Sequence, residues 1–341
     1  MVSVGSPLLW SLFAAFVVVA LLIDFFALRQ QGAHRVSMKE AGIWTLVWVA
    51  VSFVFVGLLW WGLGGMGEDA AARAMANDKA LEFITGYLIE KALAVDNIFV
   101  FLMLFTYFAV PPEFQKRVLM LGILGALVLR GALILVGAWL IAQFHWILYV
   151  FGAFLLFTGI KMWWAAGQEP DLDNNPALNW LRRRIKIAPD YDGERFFTYK
   201  DGVKLATPLL VVVLLIGIVD IVFAVDSIPA IFAITTDPFI VLTSNVFAIL
   251  GLRAMYFLLA GMHERFHLLP YGLAIVLVFI GSKMLLIDIY KIPVAWSLIG
   301  TALILGTTMV LSLKIPPKAG EAQKPRGAYP FGSKEKTGDH E

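Results

Sequence analysis

Glu90–Asn97 reads EKALAVDN, and Asp220–Ser227 reads DIVFAVDS. Both stretches place an acid the same distance before Ala-Val-Asp, and both follow that Asp with an amide or a hydroxyl. The correspondence runs on downstream. LVLRGALILVGAWL around Arg130 is echoed by AILGLRAMYFLLAG around Arg253, and FTGIKMWW around Lys161 by FIGSKMLL around Lys283. The Asp offset is about 130 residues and the Arg and Lys offsets about 122, as in an internal repeat whose copies differ in the length of one connection.

Each copy holds three long apolar runs. Along the whole chain about nine such runs occur, each long enough to cross a hydrocarbon core of roughly 30 Å. Their cores lie near Leu8–Leu28, Ile43–Leu63, Leu81–Val110, Val118–Ala142, Ile147–Ala166, Ala206–Thr235, Phe239–Met262, Leu268–Ile289 and Val294–Leu313. A unit with an odd number of spans, followed by its copy, makes the copy enter the membrane from the opposite side. The expected architecture is therefore an all-α polytopic membrane protein with about nine transmembrane helices containing two inverted three-helix repeats, a design that places a transported substrate near the midplane between the halves. The segments are two N-terminal helices over 1–80, the first repeat over 81–166, a connecting loop over 167–204, the second repeat over 205–290, a last helix over 291–315 and a flexible tail over 316–341.

Composition agrees. Sixty per cent of the residues are hydrophobic and 15% charged, more apolar than a soluble domain can bury. There is no cysteine, which excludes disulfides, thiolate metal sites, iron–sulfur clusters and thiol catalysis. The basic residues concentrate in alternate connections: Arg29, Arg35 and Lys39; Lys116 and Arg117; Arg182, Arg183, Arg184 and Lys186; Arg265; Lys314 and Lys318. Placing these on the cytoplasmic side puts the N-terminus outside and the C-terminus inside. The first apolar run lacks a small-residue cleavage site and reads as a retained helix. The 167–204 loop, with EPDLDNNP and PDYDGE, reads as solvated and is the expected place for a protein partner. No nucleic-acid partner is expected.

A charge at a helix centre costs about 2.5 to 3.5 kcal/mol, so intramembrane ionisable groups face a cavity or a partner. Glu90, Asp96, Asp220 and Asp226 are such groups, with Arg130 and Arg253 near the middles of their spans. On a helix advancing 100° per residue, Glu90 and Asn97 project about 20° apart, as do Asp220 and Ser227, whereas each Ala-Val-Asp aspartate stands about 120° from the preceding acid. One straight helix cannot aim both acids at a single ion. Pro229 is the expected break, because it removes a backbone hydrogen bond and frees carbonyls. Four carboxylates with Asn97 and Ser227 make an oxygen-rich set suited to Mn²⁺, Mg²⁺ or Ca²⁺. No His falls in either motif. The plainer alternative pairs Asp96 with Arg253 and Asp226 with Arg130 as ion pairs holding the halves together. Lys161 and Lys283 are expected to snorkel from span ends, and Asp24 and Glu82 to be interfacial. Proton exchange is the expected energy source, because carboxylates in a desolvated site can alternate between ion release and protonation, and no Walker motif occurs, which disfavours ATP coupling. No enzymatic activity is expected.

EKALAVDNIFVF, DIVFAVDSIPAIFAIT, FAILGLRAMYF and GSKM resemble the TerC/Alx family, within the wider LysE-type exporters, over most of the chain. The resemblance implies an inner-membrane fold of three-span repeats, manganese efflux, and links to tellurium resistance and alkaline pH response. It points to Glu90, Asp96, Asn97, Asp220, Asp226 and Ser227 as the metal-handling residues, with Mn²⁺ as substrate. A membrane scaffold or a redox modulator is the rival expectation, and a channel in place of a carrier a further one.

Overall fold

The computed structural model describes residues 3–30, 37–144, 146–165, 176–200, 202–260, 267–290 and 292–315. The expected tail over 316–341 and the first part of the 167–204 loop lie outside them. In chain order the elements are α1 (Pro7–Gln30), α2 (Met38–Gly62), α3 (Ala70–Tyr107), α4 (Pro112–Gln143), α5 (Ile147–Ala165), α6 (Pro176–Arg184), β1 (Phe197–Lys200), β2 (Val203–Ala206), α7 (Pro208–Phe232), α8 (Pro238–Leu250), α9 (Leu252–Ala260), α10 (Leu269–Leu285) and α11 (Val294–Lys314). Local sequence sets the starts. Ser37, Asp69 and Asp237 accept hydrogen bonds from the first turns of α2, α3 and α8, and Pro opens α4, α7 and α8 where its missing N–H costs nothing.

The chain is an all-α polytopic membrane protein. α2, α4, α5, α7 and α11 are each long and apolar enough to cross a bilayer, and α8 with α9, bent by 43° where they meet, passes the same test as a pair, as a broken span or a re-entrant hairpin. The described apolar part of α1, Pro7–Ile23, and α10 are shorter. Large apolar side chains cover the outside, with Leu46, Val128, Phe157 and Leu303 each more than 60% exposed, as a lipid-facing surface requires. The long helices share a core in which α3 packs chiefly on α8, and α7 on α4.

α5 and α10 approach closest, backbone against backbone. A Cβ on Gly159 would lie 2.9 Å from the Ala274 carbonyl and from the Val278 nitrogen, and a Cβ on Gly281 would lie 2.8 Å from the Gly152 carbonyl and 2.7 Å from the Leu156 nitrogen. The two helices run antiparallel. Aligning FTGIKM with FIGSKM makes Gly159 equivalent to Gly281, Gly152 to Ala274 and Leu156 to Val278, so the two contacts are copies of each other with the helices exchanged.

Two expectations need correction. Pro229 does not break its helix: α7 runs through it to Phe232, and Pro229 is buried. The backbone breaks instead at Gly251, where the first repeat has Val128. A Cβ there would sit 2.6 Å from the Lys91 ammonium, which donates to the Ala248 carbonyl at 3.1 Å and so satisfies an acceptor at the end of α8. The loop after α5 is also not simply solvated. Leu178 and Leu181 of α6 are buried, Tyr191 donates to the Phe108 carbonyl at 2.7 Å, and Arg117 pairs with Glu194 at 3.1 Å while lying over the Phe196 ring. This segment is a folded cap on the turn between α3 and α4.

Candidate cation site at the α3, α4 and α7 crossing

Glu90 and Asn97 fall on one face of α3, Asp220 and Ser227 on one face of α7, and α4 inserts Arg130 between them. Arg130 Nη1 donates to Glu90 Oε1 and to Ser227 Oγ at 3.2 Å, and Nη2 donates to Asp220 Oδ1 at 3.1 Å. With its amide turned so that Nδ2 donates to the Leu93 carbonyl at 3.1 Å, Asn97 accepts from Nη2, also at 3.1 Å. Four of the six expected site residues therefore meet on one guanidinium. The side chains of Arg130, Glu90 and Asp220 are 2%, 0% and 5% exposed.

Two carboxylates against one guanidinium leave a formal charge of −1 in a dry core. Glu90 Oε2, Asp220 Oδ2 and Arg130 Nε have no hydrogen-bond partner among the described residues. A structural ion pair persists at low cost only when its remaining lone pairs and protons are satisfied. This one is under-satisfied on both acids, with one carboxylate oxygen of each left without a donor among the described residues.

Beside it lies a cavity of about 40 Å³, space for roughly two or three waters, which Asn97, Arg130, Asp226 and Ser227 line together with Met162, Phe223 and Leu277. Asp226 reaches this cavity but not the Arg130 cluster, and accepts instead from Thr158 Oγ1 on α5 at 3.3 Å. The expected pairing of Asp226 with Arg130 is therefore replaced by Glu90 and Asp220. The register explains this, because the acid six residues before each Ala-Val-Asp aspartate is the one that shares a face with Asn97 or Ser227. The backbone of Asp96 is in α3, and its side chain lies outside the described residues. Among the described residues no three His, Asp or Glu side chains converge tightly enough to hold a metal by themselves. The site as it stands is closed around arginine.

Sequence reasoning missed Thr158, and it misjudged Lys283. Lys283 is buried rather than snorkelling, and donates to Ser297 Oγ at 2.8 Å across the α10–α11 interface. Glu82 is drawn inward at the other end of α3, accepting from Lys79 at 2.8 Å and from Thr235 at 2.6 Å.

Residues 75–318 match the family described as "Integral membrane protein TerC family". Alx of Escherichia coli K12, whose name marks it as a candidate membrane-bound redox modulator, is 57% identical over 296 residues, covering 87% of this chain and 91% of that protein. An uncharacterized membrane protein of Myxococcus xanthus is 49% identical over 311 residues, covering 91% and 93%. One of Rickettsia bellii is 36% identical over 296 residues, covering 87% and 94%. No solved structure matches. The match over 75–318 takes in every residue of the arginine-centred cluster, and with relatives this similar over nearly their whole length, the chain belongs to the TerC family of integral membrane proteins.

Proposed function

We propose that this protein is a secondary transporter that carries a divalent cation, Mn²⁺ foremost, out of the cell across the inner membrane, with protons as the exchanged ion. The observation that carries the reading is the under-satisfied acidic cluster: Glu90 and Asp220 close on the single guanidinium of Arg130 with one oxygen of each left over, next to a cavity lined by Asp226, Asn97 and Ser227. Arg130 acts as a tethered stand-in for the substrate. An entering divalent cation takes the carboxylate oxygens, the guanidinium swings away, and its return expels the ion on the other side. Oxygen-only donors favour Mn²⁺, Mg²⁺ or Ca²⁺ over softer metals. Mn²⁺ and the outward direction follow from the family resemblance.

Nine spans with two inverted repeats, the N-terminus outside and the C-terminus cytoplasmic, complete the proposal. The reciprocal glycine contacts of α5 and α10 support it, since antiparallel equivalent helices exchanging equivalent contacts are what a pseudo-two-fold axis in the membrane plane produces. The break at Gly251, present in the second repeat only, supplies the asymmetry by which one half can move against the other.

The test is Mn²⁺, Ca²⁺ and Mg²⁺ flux in proteoliposomes, for the wild type against Asp226→Asn and Asp220→Asn. Mn²⁺ flux lost in both variants, with folded protein recovered, supports the pathway. Flux unchanged in both would make the acids structural. The name of the Escherichia coli relative favours a second reading, a membrane-bound redox modulator or scaffold acting through the α6–β2 cap. That activity would survive both substitutions and be lost on disrupting the cap.

A further inference from the structure

Asn245 on α8 is 0% exposed, and neither its Oδ1 nor its Nδ2 has a hydrogen-bond partner among the described residues. Its neighbours behave differently. Thr243 and Ser244, equally buried, return their hydroxyls to α8 carbonyls at 2.7 and 3.2 Å. A primary amide in a dry core without a partner is costly, because both its donor and its acceptor lose water and gain nothing. Helix–helix adhesion would need a polar group opposite it.

The packing around Asn245 locates it. A Cβ on Gly86, one turn before Glu90 on the same face of α3, would lie 3.0 Å from Ser244 Oγ, and one on Gly131, next to Arg130 on α4, would lie 3.9 Å from Leu242 Cδ1. Val241 and Ile249, which share the helical stripe of Asn245, belong to the buried cluster of Ile89, Ala126 and Ile134, whereas Phe239 and Phe247 belong to the aromatic cluster on the other side of α8. The internal repeat places it a second time. The register that aligns Arg130 with Arg253 aligns Gly122 with Asn245, and the register that aligns Asp96 with Asp226 aligns Gly86 with Ile216. A Cβ on Gly122 would lie 2.9 Å from Ile216, and the same symmetry puts Asn245 beside Gly86, where the preceding residue, Ser244, makes the nearest approach. α8 packs on both α3 and α4, the helices from which Glu90 and Arg130 arise, and Glu90 Oε2 and Arg130 Nε are orphaned as well among the described residues.

We infer that Asn245 is a fourth helix's ligand to the transported cation, its amide oxygen joining Glu90 Oε2 when Arg130 withdraws. The inference rests on the transport reading above. An amide carbonyl is a hard, neutral oxygen donor, so it adds a ligand without adding charge, and Glu90, Asp220 and a divalent ion then balance to zero. The same residue couples the site to the bend, because Asn245 lies on the segment that ends at Gly251.

Binding of Mn²⁺ alone to the full chain in lipid nanodiscs, read by the loss of free Mn²⁺ signal in electron paramagnetic resonance, tests this together with thermal melting in the absence of metal. Asn245→Leu keeps the volume and removes the orphaned dipoles. It should bind Mn²⁺ at least about tenfold more weakly than the wild type while melting no lower, since nothing in the metal-free state depends on the amide. Asn245→Asp keeps the oxygen and should bind at least as tightly as the wild type. Wild-type affinity in Asn245→Leu overturns the inference and leaves the transport reading intact. If Asn245→Leu melts lower, Asn245→Asp decides: retained binding supports the ligand role, and lost binding overturns it. Wild type that binds no Mn²⁺ overturns the transport reading itself, and this inference with it.

Discussion

Replacing Arg130 with Met separates an ion pair that holds helices together from an arginine that keeps a cation's place. The substitution removes the charge and keeps most of the length. Glu90 and Asp220, 0% and 5% exposed, are then left facing each other with no cation between them. Removing one partner from a buried charge cluster costs about 3–5 kcal/mol. For a chain of this size that is a fall in melting temperature of about 4–7 °C. Both readings predict this loss. They differ on what a divalent ion then does. If Mn²⁺ occupies the vacated position, binding to the folded state alone restores about 2.7 kcal/mol at a hundredfold excess over Kd. Most of the lost melting temperature should return, and the variant should gain more from Mn²⁺ than the wild type does, because no tethered cation competes. Transport should still be lost, as nothing expels the ion. The assay is thermal melting of purified Arg130→Met and wild-type protein across an Mn²⁺ series, with Na⁺ at matched ionic strength. A variant that stays equally destabilised at every Mn²⁺ concentration would refute the exchange of arginine for metal.

Three further outcomes follow from the geometry. Gly159→Val drives a side chain into the α10 backbone at 2.9 Å, so it should destabilise by at least about 1–3 kcal/mol, and Gly281→Val should do the same through the reciprocal contact, both measured by melting in detergent. Gly251→Ala meets the Lys91 ammonium at 2.6 Å and fills a break with a helix former, so Mn²⁺ flux should drop while binding persists, as read by proteoliposome uptake beside nanodisc binding. Arg117→Ala removes a pair whose side chains are 43% and 52% exposed, so its melting temperature should change by no more than the equivalent of about 1 kcal/mol.

Much of this was legible in the sequence because a bilayer leaves few options. Long apolar runs must become helices, so that backbone groups are satisfied within each segment, and hydropathy alone marks them. The seven-residue spacing of Glu90 to Asn97 and of Asp220 to Ser227 returns each pair to one helical face, and the structure closes both pairs on the same arginine. Other features depend on neighbours that spacing does not contain. Lys283 looks like a residue near a span end, and only the packing of α11 across it supplies the Ser297 hydroxyl that keeps it inside. Pro229 reads as a break, yet α7 tolerates it, while the actual bend falls at Gly251 because Lys91, far away in sequence, is there to take the freed carbonyl. Asn245 carries no motif at all. Its interest comes wholly from the lack of a partner among the described residues, which is a property of the helices packed around it.

From its sequence alone the protein is a polytopic membrane helical bundle with a duplicated acidic motif, because the cost of exposing backbone and charge to hydrocarbon acts on each segment separately and each segment records its own answer. Which acids share a cation, where the helix bends and which polar atoms stay unsatisfied were decided only in the tertiary structure. Those depend on the meeting of α3, α4, α7 and α8, and a contact between helices is set by distances that no single helix encodes.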